Sequence, residues 1–380
     1  MRLAIDARPA LDPRRTGVGH YARQIVRHLP AAAAPDEVVA WYLDPKGLLS
    51  RRRFFGDVGA ANLTEHADRF PKRIFQPVSW RLGVPRLEWL VRFDALLATN
   101  FLPPPTTSRG VVLVVHDLAH EVLPETAPHH DARWRRRFEQ WLLRAAAVIV
   151  PSESTKRDLL ARHDVAGEVH VVPHGAEPFE PPSAADIEAV RASFGIGGPH
   201  ALFVGGIEPR KNLSKLVQAF ASLNVDDAWL VIAGGRTNWI PHAAEVLRAE
   251  IAALPDAVRL RVVLPGYVGG AVKRALLAGA TTIAYPSRYE GFGFPVLEGF
   301  AAGIPVLTST TSSLPEVAGE AALLVDPNDV DAIGEGLRRL LGDSELRERL
   351  VAAGRERVRS FTWERSAVST AEVLRAAARR

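Results

Sequence analysis

A chain of 380 residues with 47% hydrophobic and 24% charged residues predicts two ordinary globular domains. It contains no cysteine, which excludes disulfide bonds and cysteine-ligated metal sites and is typical of a reducing compartment. The net charge of +4 lies in residues 1–180, which hold 25 basic and 21 acidic residues, whereas the remainder holds 22 of each. We expect such a basic half to face anionic lipid, an anionic substrate or nucleic acid.

The N-terminal residues carry no apolar signal-peptide core, and the sequence MRLAID predicts a first β-strand instead. No segment approaches the ~20 consecutive apolar residues that a membrane-spanning helix requires. We therefore expect a cytoplasmic protein. Peripheral attachment to the inner face of the cytoplasmic membrane is an alternative, because the first half is basic.

In the first half, short β-prone apolar runs alternate with helical patterns. Strands are predicted at 2–6, 38–43, 94–98, 111–115, 147–150 and 168–172. Helical patterns follow the glycine loop 16–19 and occupy 79–92, 129–146 and 152–163, the last with Ser152 and Ser154 as candidate N-cap residues. Such alternation predicts a parallel sheet with helices on both faces.

Residues 175–199 are rich in proline, glycine and acidic side chains and mark the predicted domain boundary. We place the first domain at 1–178 and the second at 179–360, and we expect the segment 361–380 to form a helix that packs back on the first. Further strands are predicted at 201–206, 229–235, 260–266, 281–286, 304–309 and 321–327, with helices between and after them. Two doubly wound parallel α/β sheets in tandem predict a ligand in a cleft between the domains, beyond the carboxyl ends of the strands.

The most informative stretch is Ser287–Gly303, SRYEGFGFPVLEGFAAG, which predicts a glycine turn between a strand and a helix. Pro295 suits the first turn of that helix, and Gly303 predicts its end. The N–H groups that open the helix favour an anion. Glu290 precedes the turn and Glu298 lies inside the helix. Both are placed to accept hydrogen bonds from hydroxyl groups on either side of a phosphate. This arrangement fits a nucleotide-sugar diphosphate, and the alternative is a purely structural turn.

A second candidate site, GGIEPRKN at 205–212, follows the first strand of the second half and is predicted to open a helix. Arg210 and Lys211 would supply charge for a diphosphate and for the negative charge that grows on it as a glycosidic bond breaks. The alternative is a solvated basic helix start. Two consecutive cations there would oppose the helix dipole, which favours the functional interpretation.

Three weaker candidates lie in the first half. Gly17 and Gly19 follow the first strand and are explained either by turn chemistry or by the close approach of a ligand. His116, followed by Asp117, ends the strand 111–115 at the edge where ligands bind, so structural and functional roles stay equally open. His174 is expected to be a hinge contact.

We predict no metal site. Asp329 and Asp331 resemble a metal-binding Asp-x-Asp pair, but they lie where a helix begins, and carboxylates there cap N–H groups and complement the helix dipole. His129 and His130 stand next to Asp131 near another helix start and lack the spacing of metal ligands.

Basic and aromatic residues are mixed in three segments of the first half, at 51–55, 80–89 and 134–141. A surface of this composition suits a membrane interface. Trp134, Phe138 and Trp141 are three and four residues apart, so that segment equally predicts a helix face that packs on the core with arginines outside.

Together these motifs resemble the retaining glycosyltransferases of family 4, which have the GT-B fold of two Rossmann-like domains. The resemblance covers nearly the whole chain and is nearest to the mannosyltransferase-B-like branch, which builds O-antigens and other surface polysaccharides from nucleotide sugars. The motifs that carry it are IDAR and TGVGHYARQI near the start, VHDLAHEVLPE at 115–125, PSESTKRDL at 151–159, VVPHGAEP at 171–178, FVGGIEPRKNL at 203–213, LPGYV at 264–268, PSRYEGFGFPVLEGFAAGIPVLTS at 286–309 and SSLPEVAG at 312–319.

The resemblance implies roles for individual residues. Glu298 would hold the ribose hydroxyls, and Glu290 would contact the donor sugar. The other positions carried over are Arg210 and Lys211 at the diphosphate, the backbone amides of Phe292, Gly293 and Phe294 beside them, Tyr267 and Val268 near the base, Gly17 and Gly19 bordering acceptor and phosphate, and His116 beside the transferring sugar. One departure is Gly206, where relatives often carry an arginine, so the diphosphate would depend more heavily on Arg210 and Lys211.

The implied activity is metal-independent hexosyl transfer without a cofactor, from a nucleotide sugar to a glycan or lipid-linked acceptor. GDP-mannose is the first expectation for the donor, ahead of UDP- and dTDP-sugars. Retention would ordinarily suggest double displacement through a carboxylate nucleophile. The sequence places no carboxylate beneath the anomeric carbon, and the resemblance favours front-face attack with the departing phosphate as base.

Two other functions stay open at this point. One is a different enzyme of the same fold, such as a nucleotide-sugar epimerase or a phosphorylase. The other is a non-catalytic protein whose basic first half binds nucleic acid or lipid. The neutral second half with its phosphate site argues against the latter, so we expect no nucleic-acid partner, and we expect any contact with an anionic membrane to run through the first domain.

Overall fold

The computed structural model describes residues 1–11, 16–44, 54–69, 78–79, 81–126, 131–223, 227–235, 240 and 242–380. These residues form two compact α/β units. The first comprises Met1–Leu118, His130–Gly175 and Phe361–Arg380, and the second comprises Ala119–His129 and Ala176–Ser360. Each unit is built around one parallel sheet, which confirms the predicted class of two doubly wound α/β domains.

Seven parallel strands form the sheet of the first unit, in the order β3-β2-β1-β4-β5-β6-β7. Their bounds are β1 Arg2–Asp6, β2 Glu37–Leu43, β3 Leu63–Asp68, β4 Ala95–Ala98, β5 Val111–Val114, β6 Ala147–Val150 and β7 Glu168–Val171. In the centre, Leu3 of β1 lies opposite Val38 on one side and Ala95 on the other. The strands β4, β5 and β6 are wholly buried, which explains why nearly continuous apolar runs form them.

The main helices of the first unit are Gly17–Ala33, Ala132–Leu142, Glu153–Arg162 and Trp363–Ala377. Each begins after a side chain that accepts a backbone N–H of the first turn, namely Thr16, Asp131, Ser152 and Thr362. The C-terminal helix packs along Gly17–Ala33, and Arg375 on it donates to the carboxylate of Asp36 at 2.7 Å. The C-terminal segment thus completes the first unit.

Six parallel strands form the sheet of the second unit, in the order β10-β9-β8-β11-β12-β13. Their bounds are β8 His200–Val204, β9 Trp229–Ala233, β10 Val262–Val263, β11 Thr282–Tyr285, β12 Val306–Ser309 and β13 Leu323–Val325. The chain builds one side of this sheet from β8 outward and then returns to build the other side from β11. The carboxyl ends of β8 and β11 therefore flank the topological switch point, where open α/β sheets bind ligands.

Ten helices accompany this sheet among the described residues of the second unit. They are Ala119–Val122, Ala184–Ser193, Leu213–Ala221, Ala243–Ala252, Asp256–Arg259, Gly270–Gly279, Phe294–Ala302, Leu314–Ala318, Val330–Gly342 and Ser344–Val358. The helix Phe294–Ala302 has the predicted ends, because Pro295 lies in its first turn and Gly303 ends it in the left-handed conformation at φ 69°.

In the first half, one predicted helix is only partly present, and one strand is not predicted from the sequence. Within the predicted helix 79–92, the described residues 79, 81 and 82 are helical, whereas Leu87–Trp89 forms a 3₁₀ turn with irregular backbone on either side. Gly83 at φ 66° and Pro85 interrupt the helical pattern. The strand β3 escapes prediction because LTEHAD contains no apolar run, as befits a half-exposed strand at the edge of the sheet.

The segment that follows the first-unit strand β5 belongs to the second unit, although the sequence places it in the first domain. Ala119 packs with Tyr289 in a small apolar cluster that Val122 and Leu123 complete. Glu125 extends the contact through an ion pair with Arg288 at 3.3 Å. The predicted boundary at 178 therefore misses a strap of the second unit, which we define as Ala119–Thr126.

The basic-aromatic segments differ in where the structure places their side chains. Trp134 and Phe138 are buried and stack on each other at 5.3 Å, so this helix turns its aromatic face to the core. Trp89 is 63% exposed. Arg51, Arg52, Arg53 and Trp80 lie outside the described residues. No helix in the described part of the chain combines the length and the apolar character needed to cross a bilayer.

Candidate active site

The first half of the candidate site lies directly after β8. Gly205 and Gly206 follow this strand, and Gly234 follows β9. A side chain on Gly234 would collide with the Gly205 carbonyl at 1.8 Å, so the loops after β8 and β9 can approach each other only because glycine occupies this position. Arg210 and Lys211 then occupy a 3₁₀ turn, Pro209–Lys211. The segment leads into a helix as predicted, and that helix begins at Leu213, directly after Asn212.

Asn212 fixes this 3₁₀ turn to the rest of the unit. It is buried with φ 63°, a left-handed conformation that asparagine tolerates better than most side chains. Its side-chain amide donates to the carbonyls of Pro286 at 3.0 Å and Pro327 at 2.6 Å. Because Pro286 directly follows β11, Asn212 ties the cationic turn to the loop that carries Glu290.

The second half of the candidate site is the loop between β11 and the helix Phe294–Ala302. The Glu290 N–H donates to the Ser312 hydroxyl at 3.0 Å. The Ser313 hydroxyl lies 2.9 Å from the Glu290 carbonyl and 2.7 Å from the Phe292 carbonyl and shares its hydrogen between them. Gly293 completes the turn at φ 121°. The turn predicted from the sequence is confirmed, and two serine hydroxyls hold it.

The structure brings three of the predicted site residues into direct contact. Lys211 donates from Nζ to Glu290 Oε1 at 2.6 Å, and Arg210 donates from Nη1 to Glu290 Oε2 at 2.8 Å. Arg210 Nε also donates to Glu208 at 2.8 Å. Both oxygens of the Glu290 carboxylate thus accept from a cation, at the switch point between β8 and β11. We call Glu208, Arg210, Lys211 and Glu290 the charged cluster.

Electrostatics keeps the Glu290 carboxyl ionised although it is buried. Burial alone would raise the pKa of the Glu290 carboxyl, but the positive charges of Arg210 and Lys211 outweigh burial and lower that pKa to about 2. Burial lowers the pKa of the Lys211 ammonium, as does Arg210, while Glu290 opposes both effects. Glu290 is consequently a permanent anion at neutral pH and cannot act there as a general acid.

Tyr285, at the end of β11, also belongs to this group of contacts. Its hydroxyl accepts from Lys211 Nζ at 2.6 Å and donates to Glu290 Oε1 at 2.8 Å. The sequence does not single it out, because a tyrosine at the end of an apolar strand is usually a core residue.

Glu298 lies on the helix after the glycine turn, in a separate ion pair. Its Oε1 accepts from Lys273 Nζ at 2.6 Å, and the two side chains are 34% and 31% exposed. Lys273 comes from the neighbouring helix Gly270–Gly279. Tyr267, which is 65% exposed, and the half-buried Val268 precede that helix. The described contacts do not join Glu298 directly to the charged cluster.

The remaining predicted site residues lie in the first unit. Gly17 and Gly19 form the first turn of the helix Gly17–Ala33 rather than a loop before it, and a side chain on Gly19 would meet the Pro9 carbonyl at 2.8 Å. Close packing of the backbone therefore accounts for Gly19.

His116 is buried at the end of the first-unit strand β5. Its Nε2 lies 2.8 Å from the Thr99 carbonyl, which can only accept, so Nε2 carries the proton of the neutral ring. The ring lies edge-on to Tyr21 at 5.0 Å and 5.6 Å from His174. Burial lowers the pKa of His116 and lowers that of His174 further, with His116 adding to the effect.

The sequence analysis does not single out several of the residues around the site. Tyr285, Ser312 and Ser313 contact the loop of Glu290, and Lys273 holds Glu298. Both serines belong to the SSLPEVAG motif, which marks their position in the sequence but does not predict their hydrogen bonds to the loop of Glu290. Lys273 sits in an ordinary amphipathic helix and could be found only from the structure.

Asp329 behaves as the capping prediction requires. Its carboxylate accepts from the Ala332 N–H at 2.9 Å and begins the helix Val330–Gly342. Among the residues that the structure describes, no three histidine, aspartate or glutamate side chains are grouped to hold a metal ion. His129 and His130 are outside those residues.

Comparisons with known proteins identify the family of the chain. The family model described as Glycosyltransferase Family 4 matches residues 15–178, and the model described as Glycosyl transferases group 1 matches residues 186–357. The chain is 30% identical to the MMP alpha-(1->4)-mannosyltransferase of Mycolicibacterium hassiacum, over 94% of each chain. The chain belongs to glycosyltransferase family 4. This family 4 glycosyltransferase is also 29% identical to the O-antigen chain mannosyltransferase B of Escherichia coli, over 93% of its own length and 94% of that protein.

The fold of this glycosyltransferase is matched by solved structures. The crystal structure of Anabaena HepE in complex with UDP-glucose aligns with a TM-score of 0.71 over 98% of each chain, at 13% identity. At that identity the likeness concerns the fold alone, and the fold is GT-B. Family and fold are thereby established, whereas the roles assigned above to individual residues stay predictions.

Proposed function

We propose that this family 4 glycosyltransferase is a retaining hexosyltransferase that transfers mannose from GDP-mannose to a glycan or lipid-linked acceptor in surface polysaccharide synthesis. The names of two relatives, an O-antigen chain mannosyltransferase and an α-(1→4)-mannosyltransferase, support the sugar and the pathway class. The HepE complex supports a nucleotide-sugar donor, since a protein of the same fold binds UDP-glucose.

The observation that carries this proposal is the charged cluster. Two cations converge on one carboxylate at the switch point, where doubly wound sheets bind nucleotides. The cluster is neutral as a whole, because Glu208 and Glu290 balance Arg210 and Lys211. A diphosphate would share the two cations with Glu290, whose carboxylate would also accept hydrogen bonds from the hydroxyl groups of the donor sugar. Before the donor binds, the two carboxylates thus neutralise the two cations that a diphosphate would contact.

In the proposed reaction, the bond between the anomeric carbon and the diphosphate oxygen breaks, and an acceptor hydroxyl oxygen bonds to that carbon. Arg210 and Lys211 stabilise the negative charge that develops on the departing diphosphate. The acceptor proton passes to a phosphate oxygen of the leaving group, on the face from which it departs, so the anomeric configuration is retained.

Glu290 is a poor candidate for the nucleophile of a double displacement. Both of its oxygens accept from cations, and its pKa of about 2 makes it a weak base. This argument favours front-face attack. We further propose that transfer needs no metal ion, because Arg210 and Lys211 supply the positive charge that a metal would otherwise bring. Transfer should then be unchanged by EDTA.

A thermal-shift panel of GDP, UDP, dTDP and ADP tests the proposed donor. A ligand that binds only the folded chain raises its melting temperature, so GDP should raise it and the others should not. The nuclear magnetic resonance spectrum of the product made from GDP-mannose should show the α configuration of the donor. An equal response to UDP would overturn the proposed donor, and no response to any nucleotide would overturn the proposed function.

The site of membrane contact is proposed on the first unit. Trp89 and Leu82 are 63% and 69% exposed, and the guanidinium of Arg86 lies 5.7 Å from the Trp89 ring centre. This combination, in the half of the chain that carries the net positive charge, suits an anionic bilayer surface. Trp89→Ser should reduce co-sedimentation with phosphatidylglycerol vesicles, whereas Leu260→Ser, at an equally exposed position of the second unit, should not.

A further inference from the structure

Tyr285 is held rigidly at the centre of the second unit. Its ring is 1% exposed and stacks on Phe203 of the neighbouring strand β8, with ring centres 5.5 Å apart and planes 18° from parallel. Its carbonyl accepts from the Thr308 hydroxyl of β12 at 2.9 Å. Strands on both sides thus fix the backbone and the ring, so the hydroxyl has a well-defined position.

The hydroxyl of Tyr285 joins the two opposite charges of the cluster. Lysine can only donate a hydrogen bond, so Lys211 donates to the tyrosine oxygen. The tyrosine proton must then point to Glu290 Oε1. Burial raises the pKa of Tyr285 well above its ordinary value, and the negative charge of Glu290 raises it further, so the proton stays on the tyrosine. The direction of both hydrogen bonds is therefore fixed.

We propose that Tyr285 is a positioning residue that holds Lys211 and Glu290 in their reactive places while the donor is bound. This inference rests on the proposed function. In the structure Lys211 also donates directly to Glu290, and a bound diphosphate would compete for that ammonium. The rigid hydroxyl offers Lys211 an acceptor and Glu290 a donor, so each charge keeps one fixed partner while the diphosphate competes for the ammonium. Lys211 has three N–H donors, and the two contacts with Tyr285 and Glu290 leave the third for a phosphate.

The chain offers a matched pair of substitutions. Tyr285→Phe removes the hydroxyl and keeps the ring that stacks on Phe203. Tyr42→Phe makes the same change in the first unit, where a buried tyrosine hydroxyl donates to the Glu65 carboxylate at 2.9 Å. Both variants lose a buried hydrogen bond to a carboxylate, so a purely structural effect should be similar in the two.

The test compares both variants with the wild-type chain. GDP release from GDP-mannose is measured at a range of donor concentrations, and GDP affinity is measured by calorimetry. We expect kcat of Tyr285→Phe to fall about 10- to 100-fold, the range given by the loss of a hydrogen bond to a charged group. KM should change far less, because the hydroxyl is not expected to touch the donor. Tyr42→Phe should keep the wild-type kcat.

Each outcome decides between the two proposals. A Tyr285→Phe chain with wild-type kcat, or with a loss that Tyr42→Phe reproduces, overturns the positioning role and leaves the proposed function intact. A loss confined to KM would mean that the hydroxyl binds the donor in the ground state and also overturns it. A wild-type chain that neither binds GDP nor turns over GDP-mannose overturns the proposed function itself, and the role of Tyr285 falls with it.

Discussion

Lys211 is buried beside the Glu290 carboxylate and the Arg210 guanidinium. Lys211→Met keeps most of the side-chain volume and removes the ammonium. We predict that turnover of GDP-mannose falls about 100-fold or more, because one charge that stabilises the departing diphosphate is lost. Release of GDP is the measurement, with circular dichroism to verify folding.

The control for this prediction is Lys215→Met, four residues further along. Lys215 lies on the next helix and donates to the carbonyl of Asn328 at 2.6 Å, away from Glu290. The control variant should keep wild-type turnover. Equal turnover in both variants would contradict the role of Lys211.

Lys273 and Glu298 form a half-exposed ion pair, and such pairs contribute only ~0–1 kcal/mol to folding. The pair nevertheless fixes the orientation of the carboxylate that the family resemblance assigns to the ribose hydroxyls. We predict that Lys273→Met leaves the melting temperature nearly unchanged but weakens GDP binding about fivefold, a loss of ~1 kcal/mol.

Calorimetry with 2′,3′-dideoxy-GDP isolates this effect. The analogue lacks the ribose hydroxyls that would donate hydrogen bonds to Glu298. Lys273→Met should therefore weaken the binding of the analogue much less than the binding of GDP. A variant that weakens both nucleotides equally would show that Lys273 acts elsewhere than at the ribose.

At the scale of single residues, the sequence reveals the charged site residues far better than the residues that hold their side chains in place. Arg210 and Lys211 stand out because two consecutive cations at a predicted helix start oppose the helix dipole, and Glu290 stands out because it borders a glycine turn. Tyr285 does not, since its hydrogen bonds depend on the distance between β8 and β11 and no local pattern encodes that distance. The pairing of Glu298 with Lys273 depends in the same way on two helices packing side by side.

At the scale of elements, the helix Phe294–Ala302 begins at a glycine that a larger residue cannot replace freely. Gly293 has φ 121°, and an added Cβ would lie 2.9 Å from Leu314 Cδ2. We predict that Gly293→Ala lowers the free energy of unfolding by ~1–3 kcal/mol, the usual cost of such backbone strain. It should also weaken GDP binding, because the N–H groups at the helix start would shift.

Gly303 provides the matched control at the other end of the same helix. It has φ 69°, so Gly303→Ala carries a comparable backbone penalty, and the nearest neighbours of its Cβ would be atoms of the flexible Arg355 side chain. Urea unfolding and calorimetry should show that both variants lose stability and that only Gly293→Ala loses nucleotide affinity. Equal affinities would mean that the helix start does not contact the diphosphate.

The order of elements is readable from the sequence because buried parallel strands require apolar runs. Within the described part of the chain, that rule finds twelve strands and misses β3, which lies at a sheet edge. It also cannot assign the strap Ala119–Thr126 to the second unit. The strap is too short to show a period, and its membership rests on Tyr289 and Arg288, which are more than 160 residues away in the chain.

At the scale of the whole molecule, three buried histidines make folding sensitive to acid. Burial lowers the pKa of His116 and His174 in the first unit and that of His200 in the second, the last to about 4. Unfolded chains protonate histidine near pH 6.5. Below that pH the unfolded state binds protons at these histidines and the folded state does not. The free energy of unfolding is therefore highest above pH 6.5 and declines as the pH falls.

We predict that the free energy of unfolding is nearly constant from pH 8 to pH 7 and falls below pH 6.5. Each such histidine contributes a slope of up to about 1.4 kcal/mol per pH unit until its folded-state pKa is reached. Glu290 adds to the decline only below pH 4.5, its unfolded pKa, since its folded pKa is about 2. Urea unfolding at half-unit intervals from pH 8 to pH 5.5 measures the slope before the carboxylates begin to titrate.

His200→Gln assigns part of this slope to one residue. The variant should be less stable at every pH, because His200 is fully buried at the start of β8, but its stability should fall less steeply between pH 6.5 and pH 5.5. His242→Gln is the control, since that side chain is 84% exposed and should leave the slope unchanged. If the His200 variant keeps the full wild-type slope, the buried ring takes up a proton as readily in the folded chain as in the unfolded one, and the acid sensitivity has another origin.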